Sequence, residues 1–161
     1  MRNEETRQGR VVSVNLSEKK GMRKTPVEHG LAVLERGFDG DAHAGEWHRQ
    51  ISLLARESID SMVARGLDVG AGDFAENITT ENIDLLALPI GTLLQVGEVR
   101  LEVTQIGKTC HNRCAIYHQA GDCVMPREGI FAAVKTPGEI AVGDSISIIE
   151  LGCGQASESA E

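Results

Sequence analysis

Between Val103 and Val134 the chain reads VTQIGKTCHNRCAIYHQAGDCVMPREGIFAAV, and this stretch holds three of its four cysteines and two of its five histidines. They are Cys110, Cys114 and Cys123, with His111 and His118 between them. Thiols and imidazoles gathered in a glycine-punctuated loop have three chemistries open to them: metal binding, disulfide formation, or a reactive sulfur. The spacing C-x3-C-x8-C, with His111 or His118 added, would make a Cys3His set. Structural zinc sites usually pair one short cysteine knuckle with a second, and only half of that pattern is present. A disulfide between two of these cysteines would imply redox function. For a reactive sulfur the best-placed thiol is Cys114, which follows Arg113 and stands three residues after His111. Positive neighbours favour the thiolate over a thiol whose free pKa is about 8.5. A thiolate is a nucleophile, a soft metal ligand and a holder of persulfide sulfur. Beside Ala115 and Ile116, Cys114 is also readable as a small buried apolar residue.

Two further segments carry groups capable of chemistry. EKKGMRKTPVEHG presents Lys19, Lys20, Arg23 and Lys24 in a breaker-rich loop, either a solvated basic face or an anion site. FDGDAHAGEWHRQ holds Asp39, Asp41, His43, Trp47, His48 and Arg49. An Asp and a His two residues apart can ligate a metal, yet in a glycine-containing turn the pair more often bonds to backbone. Glu76 and Asn77 open the short stretch ENITT, and Asp41 and Asn77 have the same structural alternative of hydrogen-bonding loop backbone.

The elements that must position these residues are mostly strands. GRVVSVNLS places Val12, Val14 and Leu16 on one face, the period of a half-buried strand beginning near Arg10. Leu31 to Gly37 reads as a second strand and RQISLLA as a third. RESIDSMVARG has Ile59, Met62 and Val63 at helical spacing and stops at Gly66, the one clear helix. A short strand around ENITT, a helical turn near NIDLLAL and a break at Pro89-Ile90-Gly91 follow. Thr92 to Val96 and Val99 to Ile106 flank a Gly97-Glu98 hairpin turn. GIFAAVKT, a Pro137-Gly138 turn and DSISIIEL supply the last two strands. Seven or eight short strands with one main helix leave little room for helical crossovers, so the fold class is mainly β with minor α, a predominantly antiparallel β-barrel.

Length and charge bound the remaining choices. The 161 residues, 41% of them hydrophobic, suffice for one domain with its own core, ordered over about 9–151 with a flexible tail from 152 to 161. A formal net charge of −8 argues against a nucleic-acid partner, which requires clustered cations. The opening MRNEETRQGR is no secretory leader, and no run of about 18 apolar residues occurs, so the expectation is a cytoplasmic protein with no membrane partner. In that compartment cysteines are reduced, catalytic or metal-bound rather than structural disulfides.

Seven blocks, in order, resemble the MOSC domain, the module at the C-terminus of molybdenum-cofactor sulfurases and in small stand-alone bacterial proteins. They are KGMRKTPV, GFDGDAHAGEWHRQISLL, GDFAENITTENIDL, LPIGTLLQVG, VTQIGKTCHNRCAI, GDCVMPREGIFA and GEIAVGD, covering about Gly9 to Leu151. The resemblance implies a β-barrel-rich fold and a role around molybdenum cofactor and sulfur. Its characteristic cysteine either carries a persulfide or coordinates molybdenum of a pterin cofactor, and Asn112-Arg113-Cys114 fits that context best, with Cys110 next. On this reading Cys114 is the persulfide or metal thiolate, Cys110 the backup or resolving thiol, and His111 and Arg113 the groups that stabilise the thiolate. Lys24 matches a cofactor-binding cation suited to a pterin phosphate, and Asp41, His43, Arg49, Glu76 and Asn77 are further cofactor-binding candidates. The implied cofactor is molybdopterin. No pyridoxal phosphate is expected, because the domain that binds it in the sulfurases is absent from this sequence. A cysteine desulfurase or a molybdenum-cofactor enzyme is the implied partner, and an oligomer is compatible with the pattern. The alternative is a non-catalytic binding module with a zinc-holding cysteine cluster, or an adaptor that delivers molybdopterin.

Overall fold

The computed structural model describes residues 9–18, 24–42, 44–45, 49–66, 68–106 and 128–153. Aliphatic residues recurring at every second position need a dry face to bury, and a sheet rolled onto itself provides one. The strands are β1 (Gly9–Leu16), β2 (Thr25–Val27), β3 (His29–Val33), β4 (Gly37–Phe38), β5 (Ile51–Ala55) and β6 (Ile78–Glu81). They continue with β7 (Leu93–Val96), β8 (Val99–Ile106), β9 (Ile130–Thr136), β10 (Gly138–Ala141) and β11 (Ser145–Glu150). Helix α1 (Arg56–Ala64) and a 3-10 turn (Leu85–Ala87) complete the described elements.

The main sheet runs β11-β7-β8-β9-β5-β6-β1-β2, and β11 also pairs with β1, so seven strands close into a barrel. Every pairing in it is antiparallel except β5–β6, which α1 makes possible by carrying the chain back. Val14, Leu53, Ile78, Leu94, Leu101, Ile130 and Ile146, all with no exposed surface, fill the interior. A small sheet, β10-β3-β4, adds Ala32, Phe38 and Ile140 to the same core. Among the described residues no helix is long and apolar enough to cross a membrane.

Several details differ from the sequence-based expectations. A bulge between Val11 and Ser13 shifts the period of β1, so that Val11, not Val12, joins Val14 in the core. The strand expected over Leu31 to Gly37 ends at Val33, because the chain turns through Leu34–Arg36 with Glu35 at φ 57. Among the described residues there are eleven strands, against the seven or eight expected, the additions being β2, β4 and β10, each four residues or fewer. On α1, Ile59 and Met62 are buried, each contributing about 1.5–3 kcal/mol, whereas Val63 is 47% exposed. Gly66, at φ +96, ends the helix in the left-handed conformation that a glycine adopts freely.

Candidate functional site

Strand alternation sends Val14, Leu53 and Ile78 into the barrel and Asn15, Ser52 and Thr79 to its outer face. That outer face is covered. Leu54 and Phe131 on it form a second apolar cluster with Ile59 and Met62 of α1 and Phe74 of the loop before β6. Beside this cluster the sheet is polar and fully buried, so each hydroxyl and amide there needs a partner.

Asn77 meets that need between β5 and β1. Its Oδ1 accepts from the Ser52 N–H (3.0 Å) and Ser52 Oγ (3.2 Å), and its Nδ2 donates to the Asn15 carbonyl (3.2 Å). Asn15 Nδ2 donates in turn to the Glu76 carbonyl and to Thr79 Oγ1, both at 3.1 Å, and its Oδ1 accepts from Ser13 Oγ at 2.6 Å. Ser13, Asn15, Ser52 and Thr79 were not among the residues singled out from the sequence. Their only signal was a small polar residue at outward positions of β1, β5 and β6, which reads as a solvent face until a covering loop is known.

Glu76 closes the covering loop onto this network. Its Oε2 accepts from the Gly72 N–H (2.9 Å) and from Thr79 Oγ1 (2.7 Å), while Oε1 has no hydrogen-bond partner among the described residues. The residue is completely buried. Loss of hydration pushes its carboxyl above the usual carboxylate range, against the opposing pull of Thr79 and the loop amides.

Lys24 and Asp41 form a second buried node. Lys24 Nζ lies 2.9 Å from Asp41 Oδ1 and donates to Ser17 Oγ at 3.0 Å, with neither charged side chain exposed. The Ser17 N–H also donates to Asp41 Oδ1 (3.0 Å), and the Lys24 N–H donates to the Gly72 carbonyl (2.8 Å). The two nodes are thus joined through Gly72. Arg49, half-buried, sets its guanidinium 5.7 Å from the centre of the Phe131 ring, a cation–π geometry.

The structure therefore brings together Lys24 with Asp41, and Glu76 with Asn77. Cys110, His111, Arg113, Cys114 and His43 lie outside the described residues, as do Cys123, His118, Lys19, Lys20, Arg23, Trp47 and His48. The strand ends that carry the cysteine stretch are described. Ile106 pairs with Ile130, Ile130 with Leu53, and Leu53 with Ile78, one row across the sheet. Ser52 and Asn77 stand on one side of this row. On the other side, towards Ala55, β8 ends and Glu128 leads into β9.

A pterin cofactor would ask this chain for a soft donor to the metal and cations for the phosphate. Among the described residues no group of three or more His, Cys, Asp or Glu side chains could hold a metal, and Cys110, Cys114 and Cys123 lie outside them. Lys24 directs its ammonium to Asp41 and Ser17 beneath the surface, and Arg49 sets its guanidinium against the Phe131 ring.

No curated protein matches the chain. Solved structures do. The YuaD protein from Bacillus subtilis superposes with a TM-score of 0.71 at 16% identity, over 86% of this chain and 94% of that one. YiiM from Geobacillus stearothermophilus gives 0.71 at 20% identity, over 92% and 79%, and YiiM from Escherichia coli 0.66 at 18%, over 92% and 75%. These likenesses establish the barrel fold. The sequence profile of the MOSC domain matches residues 40–147, well over half of the chain. The chain accordingly belongs to the MOSC domain family, a family related in general to the molybdenum cofactor.

Proposed function

We propose that this protein carries or transfers sulfur in molybdenum-cofactor metabolism, with Cys114 as the thiol that holds a persulfide or ligates molybdenum of a bound pterin. The observation that supports the reading is that the family match, residues 40–147, takes in the whole cysteine stretch. Arg113 and His111 favour the thiolate, and Cys110 serves as the backup or resolving thiol. In loading, Cys114 Sγ bonds the outer sulfur of a donor persulfide as the donor's S–S bond breaks. The donor leaves as a thiolate, and no net oxidation occurs. A cysteine desulfurase suits the donor role and a molybdenum-cofactor enzyme the acceptor role, both in a reducing cytoplasm that keeps the thiols free.

Mass spectrometry after incubation with a cysteine desulfurase and cysteine tests the proposal. One added sulfur on Cys114, absent from Cys114→Ala, is the expected result; no added sulfur, or undiminished loading of the variant, rejects it. Elemental analysis separates the rival reading of a non-catalytic module, for which about one zinc per chain with no pterin fluorescence would be found.

A further inference from the structure

On the Ala55 side of the Ile106–Ile130–Leu53–Ile78 row the surface folds into a cleft of about 640 Å³. Its apolar lining comes from Ala55, Ile83, Leu85 and Leu86. Ile83 and Leu85 belong to the barrel core and are rigidly packed, while Leu86 is 46% exposed and offers its side chain to an occupant. A volume of this order accepts a compact organic molecule.

Charge decides which kind. The charged residues lining the cleft, among those described, are Glu57, Asp84 and Glu128, all acidic. Glu57 is held in place by the Asn82 N–H, which donates to its Oε2 at 3.0 Å. Among the described residues the neighbouring Arg56 is turned away onto Glu81 (3.1 Å) and Asp60 (3.8 Å). Carboxylates beside an aliphatic floor favour a ligand with a positive head and an apolar body, because each part then finds its own complement.

We infer that this cleft binds a small organic ammonium, a primary amine carried on an apolar body of about one ring. The inference stands apart from the sulfur-carrier reading, since it concerns a different set of residues and its test measures binding alone.

The test titrates isotope-labelled protein with benzylammonium chloride and, in parallel, with benzyl alcohol, its neutral counterpart. Amide shifts concentrated at Ala55, Ser58 and Asn82 to Leu86, with benzylammonium binding about tenfold tighter at low salt, are expected. The preference should fall towards unity in Glu57→Gln/Asp84→Asn, a surface variant that leaves the core untouched. Equal binding of the two probes, shifts scattered over the surface, or no saturation by benzylammonium overturns the inference. So does a response to a basic peptide but not to the amine, which would assign the cleft to a protein partner.

Discussion

Lys24 Nζ and Asp41 Oδ1 lie 2.9 Å apart with no exposed side-chain surface on either residue, and the Ser17 main-chain amide shares the same carboxylate oxygen. Removing one partner leaves the other charge stranded out of water. Asp41→Ala should therefore cost about 3–5 kcal/mol in denaturant unfolding, and Lys24→Met should cost a similar amount. In the double variant Lys24→Met/Asp41→Ala part of the summed loss should return. If the two single losses simply add, the pair is not coupled as the geometry requires.

Glu76 should make stability depend on pH in a definite sense. Its folded pKa is raised, so its contribution is fully present below the unfolded value of about 4.3 and is lost as pH rises through the folded value. Glu76→Gln keeps the size and an oxygen acceptor for the Gly72 N–H and Thr79 Oγ1 while removing the titration. The melting temperature of the variant relative to the parent should rise from about pH 4.3 until the folded value is passed and then level off. A gap between the two that stays constant with pH would contradict this.

Gly72 and Gly40 share a φ of +85 but not their surroundings. At Gly40 a methyl group would meet nothing within 4 Å, so Gly40→Ala should cost only the backbone strain, about 1–2 kcal/mol. At Gly72 a Cβ would overlap the carbonyl oxygen of Lys24, the residue whose N–H donates to the Gly72 carbonyl, and would press on Asn15. Gly72→Ala should add overpacking of about 1–3 kcal/mol to the same strain. Equal melting temperatures for the two variants would show that the loop yields freely.

The cysteines should separate by reagent. Cys153 is free and exposed, and alkylation of the native protein should modify it readily. Cys153→Ser should nonetheless leave sulfur loading by a desulfurase unchanged, whereas Cys114→Ala should abolish it. Loading that follows Cys153 instead would place the carrier thiol at the chain's end.

How much of this was legible beforehand follows from how local each signal is. β1, β5, β8 and β9 and helix α1 carry long enough patterns for their periods to be read, and the Gly97-Glu98 turn marks its own hairpin. β2, β4 and β10 are too short to display a period, and they exist because neighbouring strands supply their hydrogen bonds. Glu35 at a positive φ gives no residue-type cue to the turn that ends β3. At the site, Asp41 and Asn77 were recognisable as residues that could bond to backbone, and both do. That Lys24 would be buried against Asp41 was not legible, because a cation in a loop carries no mark of the distant carboxylate that will cover it.

Pairing the first strand with the last has a consequence for how the protein is made. Gly9 sits opposite Ile146, so the ribosome must release every residue between them before that seam can form. Until then one side of β1 stays open to unrelated chains, and such long-range closure slows folding. Newly synthesised copies should thus depend on chaperone shelter more than helical proteins of equal length do.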